Sequence, residues 1–264
     1  MFKPAERMYM QALFKIIICC FFLLFSSAAV VAEPGRIYTS TAQRLLEHVK
    51  YQEPVENELA ALRLAETEML YRQLDTDQKK KAFWINIFNS LATIELRQNP
   101  QLYADRKKFF SRKIFALADR SFSLDDIEHS LLRRSEPGFL PRFLRPLFMS
   151  PFTRRLSVRE LDPRIHFALN CTARSCPPIL FYDADKLDTQ LDLATLNYLR
   201  ASVHYDPAAN RIELPAIFSW YAGDFGEEQG IAGLLKKYGI TGHGVSPAFT
   251  YKPWDWSPEP GKFQ

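Results

Sequence analysis

The chain has no internal repeat and no low-complexity tract, which excludes repeat arrays and fibrous architectures. Its charge is nearly balanced, +4 over 264 residues, too little for a general nucleic-acid binder. Only one stretch is apolar enough to interest a bilayer, and it lies near the N-terminus; nothing later in the chain would hold it in a membrane. Glycine is scarce, at 10 residues, and a hydrophobic share of 47% describes an ordinary globular core. Cysteine is scarcer still: there are four, and two of them, Cys19 and Cys20, sit inside the N-terminal apolar run.

That run reads as an address. Lys3, Arg7 and Lys15 form a basic lead, diluted by Glu6, and residues 16–25 are apolar. Ser26, Ser27, Ala28 and Ala29 lead to Val30-Val31-Ala32, whose compact side chains before Glu33-Pro34 suit a signal peptidase. Residues 1–32 are expected to be a signal peptide, and the product to be exported to the periplasm or beyond; an uncleaved anchor is the competing reading. Its removal takes away Cys19 and Cys20, three basic residues and one acid, leaving a net charge of +2. The rest divides into an N-terminal helical segment, 33–75, and a larger domain, 76–264.

Periodicity predicts helices over 41–50, 55–74 and 78–98, the last capped within Asp75-Thr76-Asp77 and stopped by Asn99-Pro100. The helix over 78–98 is unusual. Phe83, Trp84, Ile87, Phe88, Leu91 and Ile94 cover more than half its circumference, and Asn86, Asn89, Ser90, Thr93 and Arg97 form the remaining stripe. The stripe faces either solvent or a polar partner, since an unpaired buried amide costs ~1–3 kcal/mol. Residues 107–124 read as extended or mixed, and Ser123 with Asp126 three positions on starts a helix to about Arg134 that carries His129. The arginine- and proline-rich stretch 139–159 reads as a connector, with contact to an anionic membrane surface as the alternative. A helix over 185–201, a hairpin over 203–214, an aromatic turn at 217–221 and a helix over 231–238 closed by Gly239 complete the chain.

The densest chemistry lies between Asp162 and Pro178. Ile165 to Cys171 reads as a strand running into a loop stopped by Pro177-Pro178. Alternation then puts Ile165, Phe167, Leu169 and Cys171 on an apolar face and His166, Ala168 and Asn170 on the other. Three readings of this segment stand open. In one, Cys176 is a nucleophile, His166 its general base, Arg174 lowers the thiol pKa, and Asn86 or Asn89 orients the imidazole. A strand sets His166 and Asn170 ~13 Å apart, so the loop has to fold back for Cys176 to reach His166. In the second, Cys171 and Cys176 form a disulfide and the chemistry passes to His166, His129, Asp125 and Glu128. In the third, His166, Cys176 and His129 bind zinc, although the spacing matches no compact zinc motif. Trp220-Tyr221 and Trp254-Asp255-Trp256 either line a groove for a sugar or peptide or close a core. Asp224 and Asp255, set among these aromatics, are expected to have raised pKa values if buried.

Several of these pieces resemble the DUF547 family: Phe83-Trp84-Ile85-Asn86-Ile87-Phe88-Asn89; Ser123-Leu124-Asp125-Asp126-Ile127-Glu128-His129 with Leu132-Arg133; Asp162 to Pro178; Leu214-Pro215 to Gly226; and Tyr251 to Ser257. The resemblance spans about 76–257. It departs from the family pattern at Thr172, where the family usually has glycine. The family name stands for undetermined function, so the resemblance implies no catalytic residues; some eukaryotic members resemble fusions with a glutaredoxin-like domain, a pointer toward thiol chemistry.

The expectation is an α+β fold: one compact domain with a helical first half packed on a small, mostly antiparallel sheet. The expected site lies between helix 78–98 and the segment 162–178 and uses Asn86, Asn89, His166, Arg174 and Cys176. The expected function is an exported cysteine-dependent hydrolase or acyl transferase acting on a peptide-like or envelope substrate; the alternative is a non-enzymatic exported binding domain with a Cys171–Cys176 disulfide. No cofactor or metal is expected. The partner is a small-molecule or peptide-like ligand, not a nucleic acid.

Overall fold

The computed structural model describes residues 36–135, 149–242 and 244–264. The expected signal peptide and the first part of the 139–159 connector lie outside them. Among the described residues, no helix is long and apolar enough to cross a membrane.

The architecture is α+β. Helices α1 (Ile37–Tyr51), α2 (Glu56–Arg63), α3 (Thr67–Gln73) and α4 (Asp77–Gln98) come first. A 3₁₀ turn (Pro100–Ala104) and α5 (Arg106–Ser111) lead to the hairpin β1 (Phe115–Leu117) and β2 (Arg120–Phe122). A π-helical segment (Asp126–Leu132), α6 (Pro151–Leu156) and a second 3₁₀ turn (Pro163–Phe167) follow. The rest comprises α7 (Leu187–Ser202), β3 (His204–Asp206), β4 (Arg211–Pro215), α8 (Ile217–Trp220), α9 (Ala222–Phe225), α10 (Glu227–Lys237) and β5 (Ala248–Lys252). The sheets are small. β1 pairs antiparallel with β2 and β3 antiparallel with β4, while β5 adds parallel to β4.

Helix α4 is the axis of the first half. Thr76 caps it by accepting from the Lys79 amide, as the sequence signalled. It is buried on nearly every side, including Asn86, Asn89, Ser90 and Thr93, so its polar stripe faces partners rather than water. Neighbours are tied to it directly: Trp84 Nε1 donates to the Leu156 carbonyl at 3.0 Å, Lys80 Nζ to Ser157 at 2.9 Å and Arg97 Nη1 to Val49 at 2.7 Å.

Two expectations are corrected. The helix expected over 55–74 is two helices, because the carbonyls of Leu62 and Arg63 turn aside to accept from the amides of Ala118 and Asp119. Ala118 and Asp119 both have positive φ, as a tight hairpin turn requires, and this turn docks on the end of α2. The strand expected over 165–171 is not formed. Asp162 accepts from the Arg164 amide and Pro163 occupies the first turn, winding residues 163–167 into a 3₁₀ helix.

That turn joins two apolar clusters. Ile165 packs with the residues around α4, and Phe167 packs with Leu199, Ile212, Phe218, Phe225 and Ile231 in a second cluster. His166 stands between them, at the seam.

Candidate active site: an aromatic-rimmed pocket at the seam

The pocket begins with Ser123. Its hydroxyl accepts from the Asp126 amide at 3.1 Å, while the Asp126 carboxylate accepts from the Ser123 amide at 2.6 Å, a reciprocal capping box. The helix it opens winds as π rather than α. With an i→i+5 bond from the Arg133 amide to the Glu128 carbonyl at 2.8 Å, Arg133 lies beside both Glu128 and His129. Its Nη1 donates to His129 Nδ1 at 2.7 Å and sits 3.8 Å from Glu128 Oε1. Because an arginine only donates, His129 Nδ1 accepts, and the ring proton rides on Nε2, 3.8 Å from Asp125 Oδ1.

The second wall comes from the seam. His166 is 2% exposed, and its Nε2 lies 2.9 Å from Asp224 Oδ2, which also accepts from Arg133 Nε at 2.6 Å. Burial alone would raise the Asp224 carboxyl; the hydrogen bonds from His166 and Arg133 and the guanidinium charge outweigh it and hold the group at about 2. The expectation of a raised pKa is therefore reversed for Asp224. For Asp255 the condition is not met: its side chain is exposed, and its carboxyl is lowered by hydrogen bonds within its own turn, to Ser257. An ionised Asp224 fixes the His166 proton on Nε2. Tyr221 stacks on His166 with ring centroids 4.1 Å apart and donates to Glu128 Oε1 at 2.8 Å. Burial first, then the Glu128 charge, push its phenol up and keep it a donor.

The corner that presents Asp224 is tight. A Cβ added at Gly230 would fall 1.8 Å from the Phe225 carbonyl oxygen, so α10 abuts α9 only because that position lacks a side chain.

The rim is aromatic. Trp220, Trp254 and Trp256 cluster with centroid separations of 5.3, 5.6 and 6.2 Å. The last two ride on a tail laced to the loop after Asn170: the amides of Arg174 and Ser175 donate to the carbonyls of Ser257 and Asp255, and the Glu259 amide to that of Thr172. Phe88, Asp125, Glu128, His129, His166 and the three tryptophans line, with their neighbours, a cavity of about 150 Å³.

The predicted site residues separate. Asn86 and Asn89 meet the 162–182 region but as clamps. Asn86 donates to the Tyr182 carbonyl and accepts from its amide, at 2.8 and 3.0 Å; Asn89 does the same for the Ala168 carbonyl and the Asn170 amide, at 3.0 and 2.8 Å. Each amide donates once and accepts once, and neither lines the pocket. Cys176 is 1% exposed and bonded to Cys171, so it carries no thiol in this state and titrates nothing. Cys171 borders the aromatic pocket, whereas Cys176 and Arg174 border a different cleft. Only His166 of the five lies in the pocket. Arg133 was not singled out from sequence, where the charges spaced along residues 125–133 were the available signal; Tyr221 was named as a possible groove wall and Asp224 as a carboxylate among aromatics, but neither was joined to His166. Among the described residues no group of three or more His, Cys, Asp or Glu side chains is arranged to hold a metal ion.

The fold and pocket define an α+β domain with a histidine–carboxylate floor under a tryptophan rim. Residues 71–199 match the family described as "Protein of unknown function, DUF547". No curated protein and no solved structure matches the chain. The matched span holds His129, Arg133 and His166; Tyr221, Asp224 and the tryptophans lie beyond it.

Proposed function

We propose that this protein is an exported hydrolase or acyl transferase acting on a small, peptide-like ligand held by one flat face against the tryptophan rim. The observation that carries the reading is the convergence of Asp125, Glu128, His129 and His166 on one pocket, with Arg133 and Asp224 bonded to the two imidazoles behind it. Clusters of titratable groups in a cleft mark functional sites. His129 offers Nε2–H to a carbonyl oxygen, Asp125 activates water, and Asp224 and Arg133 act as positioning residues that fix the two imidazoles. Export is supported by the Cys171–Cys176 disulfide, which an oxidising compartment maintains.

The test is turnover of a panel of amino-acyl p-nitroanilides and p-nitrophenyl esters by the purified protein. His129→Gln and Asp125→Asn are each expected to lower kcat about 100-fold or more, with Cys171→Ser/Cys176→Ser retaining activity. Absence of turnover across the panel, with binding retained, would reduce the protein to a ligand-binding domain. A thiol-dependent reading has one specific observation in its favour, that Cys171 borders the same pocket as His129 and His166. It requires activity only after reduction, lost in Cys171→Ser.

A further inference from the structure

The loop that carries the disulfide has a second cleft against it, about 330 Å³ in volume, within the range of small-molecule sites. Arg174, Lys252 and Lys262 line it, and no acidic side chain does. The nearest counter-charges are weak. Asp255 stands 3.6 Å from Arg174 and Glu259 3.6 Å from Lys262, all partly or fully exposed, where ion pairs count for little. Lys252 has no carboxylate within ion-pair distance among the described residues; its Nζ donates to the Ser202 carbonyl.

Two of the cations, Lys252 and Lys262, are held in place before any ligand arrives. Lys262 Nζ donates to the carbonyls of Arg174 and Cys176 at 3.0 and 3.3 Å, and each ammonium has further N–H groups to give. Ser175 Oγ accepts from the Asp255 amide at 2.9 Å, so its own proton is available as a donor. The shared wall, Trp254, has an indole N–H with no acceptor among the described residues. Every charged side chain that lines this cleft is a cation. Three cations from three separate stretches of chain suit a multiply charged oxyanion better than a single carboxylate.

We propose that this cleft is a binding site for a phosphate-bearing small molecule, the anion seated among Arg174, Lys252 and Lys262. The site shares the Trp254 wall with the seam pocket but does not depend on the acid–base reading given to it.

The experiment is isothermal titration of the mature chain with inorganic pyrophosphate in about 0.15 M salt, with citrate and phosphatidic acid vesicles as parallel arms. One-to-one binding of pyrophosphate is expected, weakened about tenfold by Lys252→Gln and by the exposed Arg174→Gln, and unchanged by His129→Gln. Binding to the vesicles with the same dependence on Lys252 and Arg174 supports the phosphate chemistry and assigns it to a lipid headgroup. Absence of binding in both phosphate arms, citrate binding more tightly than pyrophosphate, or affinities equal to wild type in both variants would overturn the proposal. Arg174 is exposed and makes no buried contact, so its variant remains informative if Lys252→Gln proves unstable.

Discussion

Asp224 holds the floor of the seam pocket together, accepting from both His166 and Arg133. Its folded pKa lies below its unfolded value, so its contribution to stability is present above the unfolded pKa of about 3.9 and is lost as pH falls toward 2. Asp224→Asn is expected to cost about 2 kcal/mol at pH 7, since it strands Arg133 and His166, and much less at pH 2; denaturant melts at the two pH values measure the difference. Thr172 is the other telling residue. It has φ +64°, a left-handed conformation that glycine adopts freely and a β-branched residue rarely does. This is the position where the sequence departs from the pattern it resembles. The strained residue is held by its amide donating to Asn170 Oδ1 at 2.8 Å and its hydroxyl to the Cys171 carbonyl at 2.6 Å.

At the scale of elements, three short segments do the positioning: the π-helical turn, the 3₁₀ turn and the α9–α10 corner. Asn89 links the residues just after the second of these, Ala168 and Asn170, to α4 with two buried hydrogen bonds. Asn89→Ala is expected to destabilise the protein by about 2–4 kcal/mol, two lost bonds plus stranded backbone groups, and to broaden the thermal transition read by tryptophan fluorescence. Gly230→Ala must push α10 off the Phe225 carbonyl. A loss of about 1–3 kcal/mol is expected, with turnover falling more than for an equally destabilising surface change, because Asp224 moves with the corner.

The long helices were legible in the sequence because their apolar positions repeat and their caps are local: Thr76 before α4 and Gly239 after α10 stand where the chain signals them. The polar stripe of α4 was legible as something needing a partner. The short turns were not. Residues 165–171 alternate like a strand, and in so short a run the period cannot tell a strand from a 3₁₀ turn; Asp162-Pro163 was the start signal that alternation overrode. The π winding of 126–132 leaves no trace in apolar spacing. Arg133, Asp224 and His166 lie far apart in sequence, so no local pattern joins them.

Across the whole molecule, the disulfide loop is a partition: Cys171 borders the seam pocket and Cys176 the cationic cleft. The bridge spans five residues, and loop-closure arithmetic for so short a span gives about 2 kcal/mol. Replacing both cysteines with serine should lower stability by that amount in denaturant melts while the helical signal in far-ultraviolet circular dichroism persists.

Residues 253–264 leave the ribosome after everything they pack against among the described residues, and both hollows borrow a side from them. A chain halted at Lys252 would lack one wall of each recess. Competence to bind is thus expected to lag behind folding during synthesis, and a truncation ending there should give native-like helix content with no affinity for pyrophosphate or for any seam ligand.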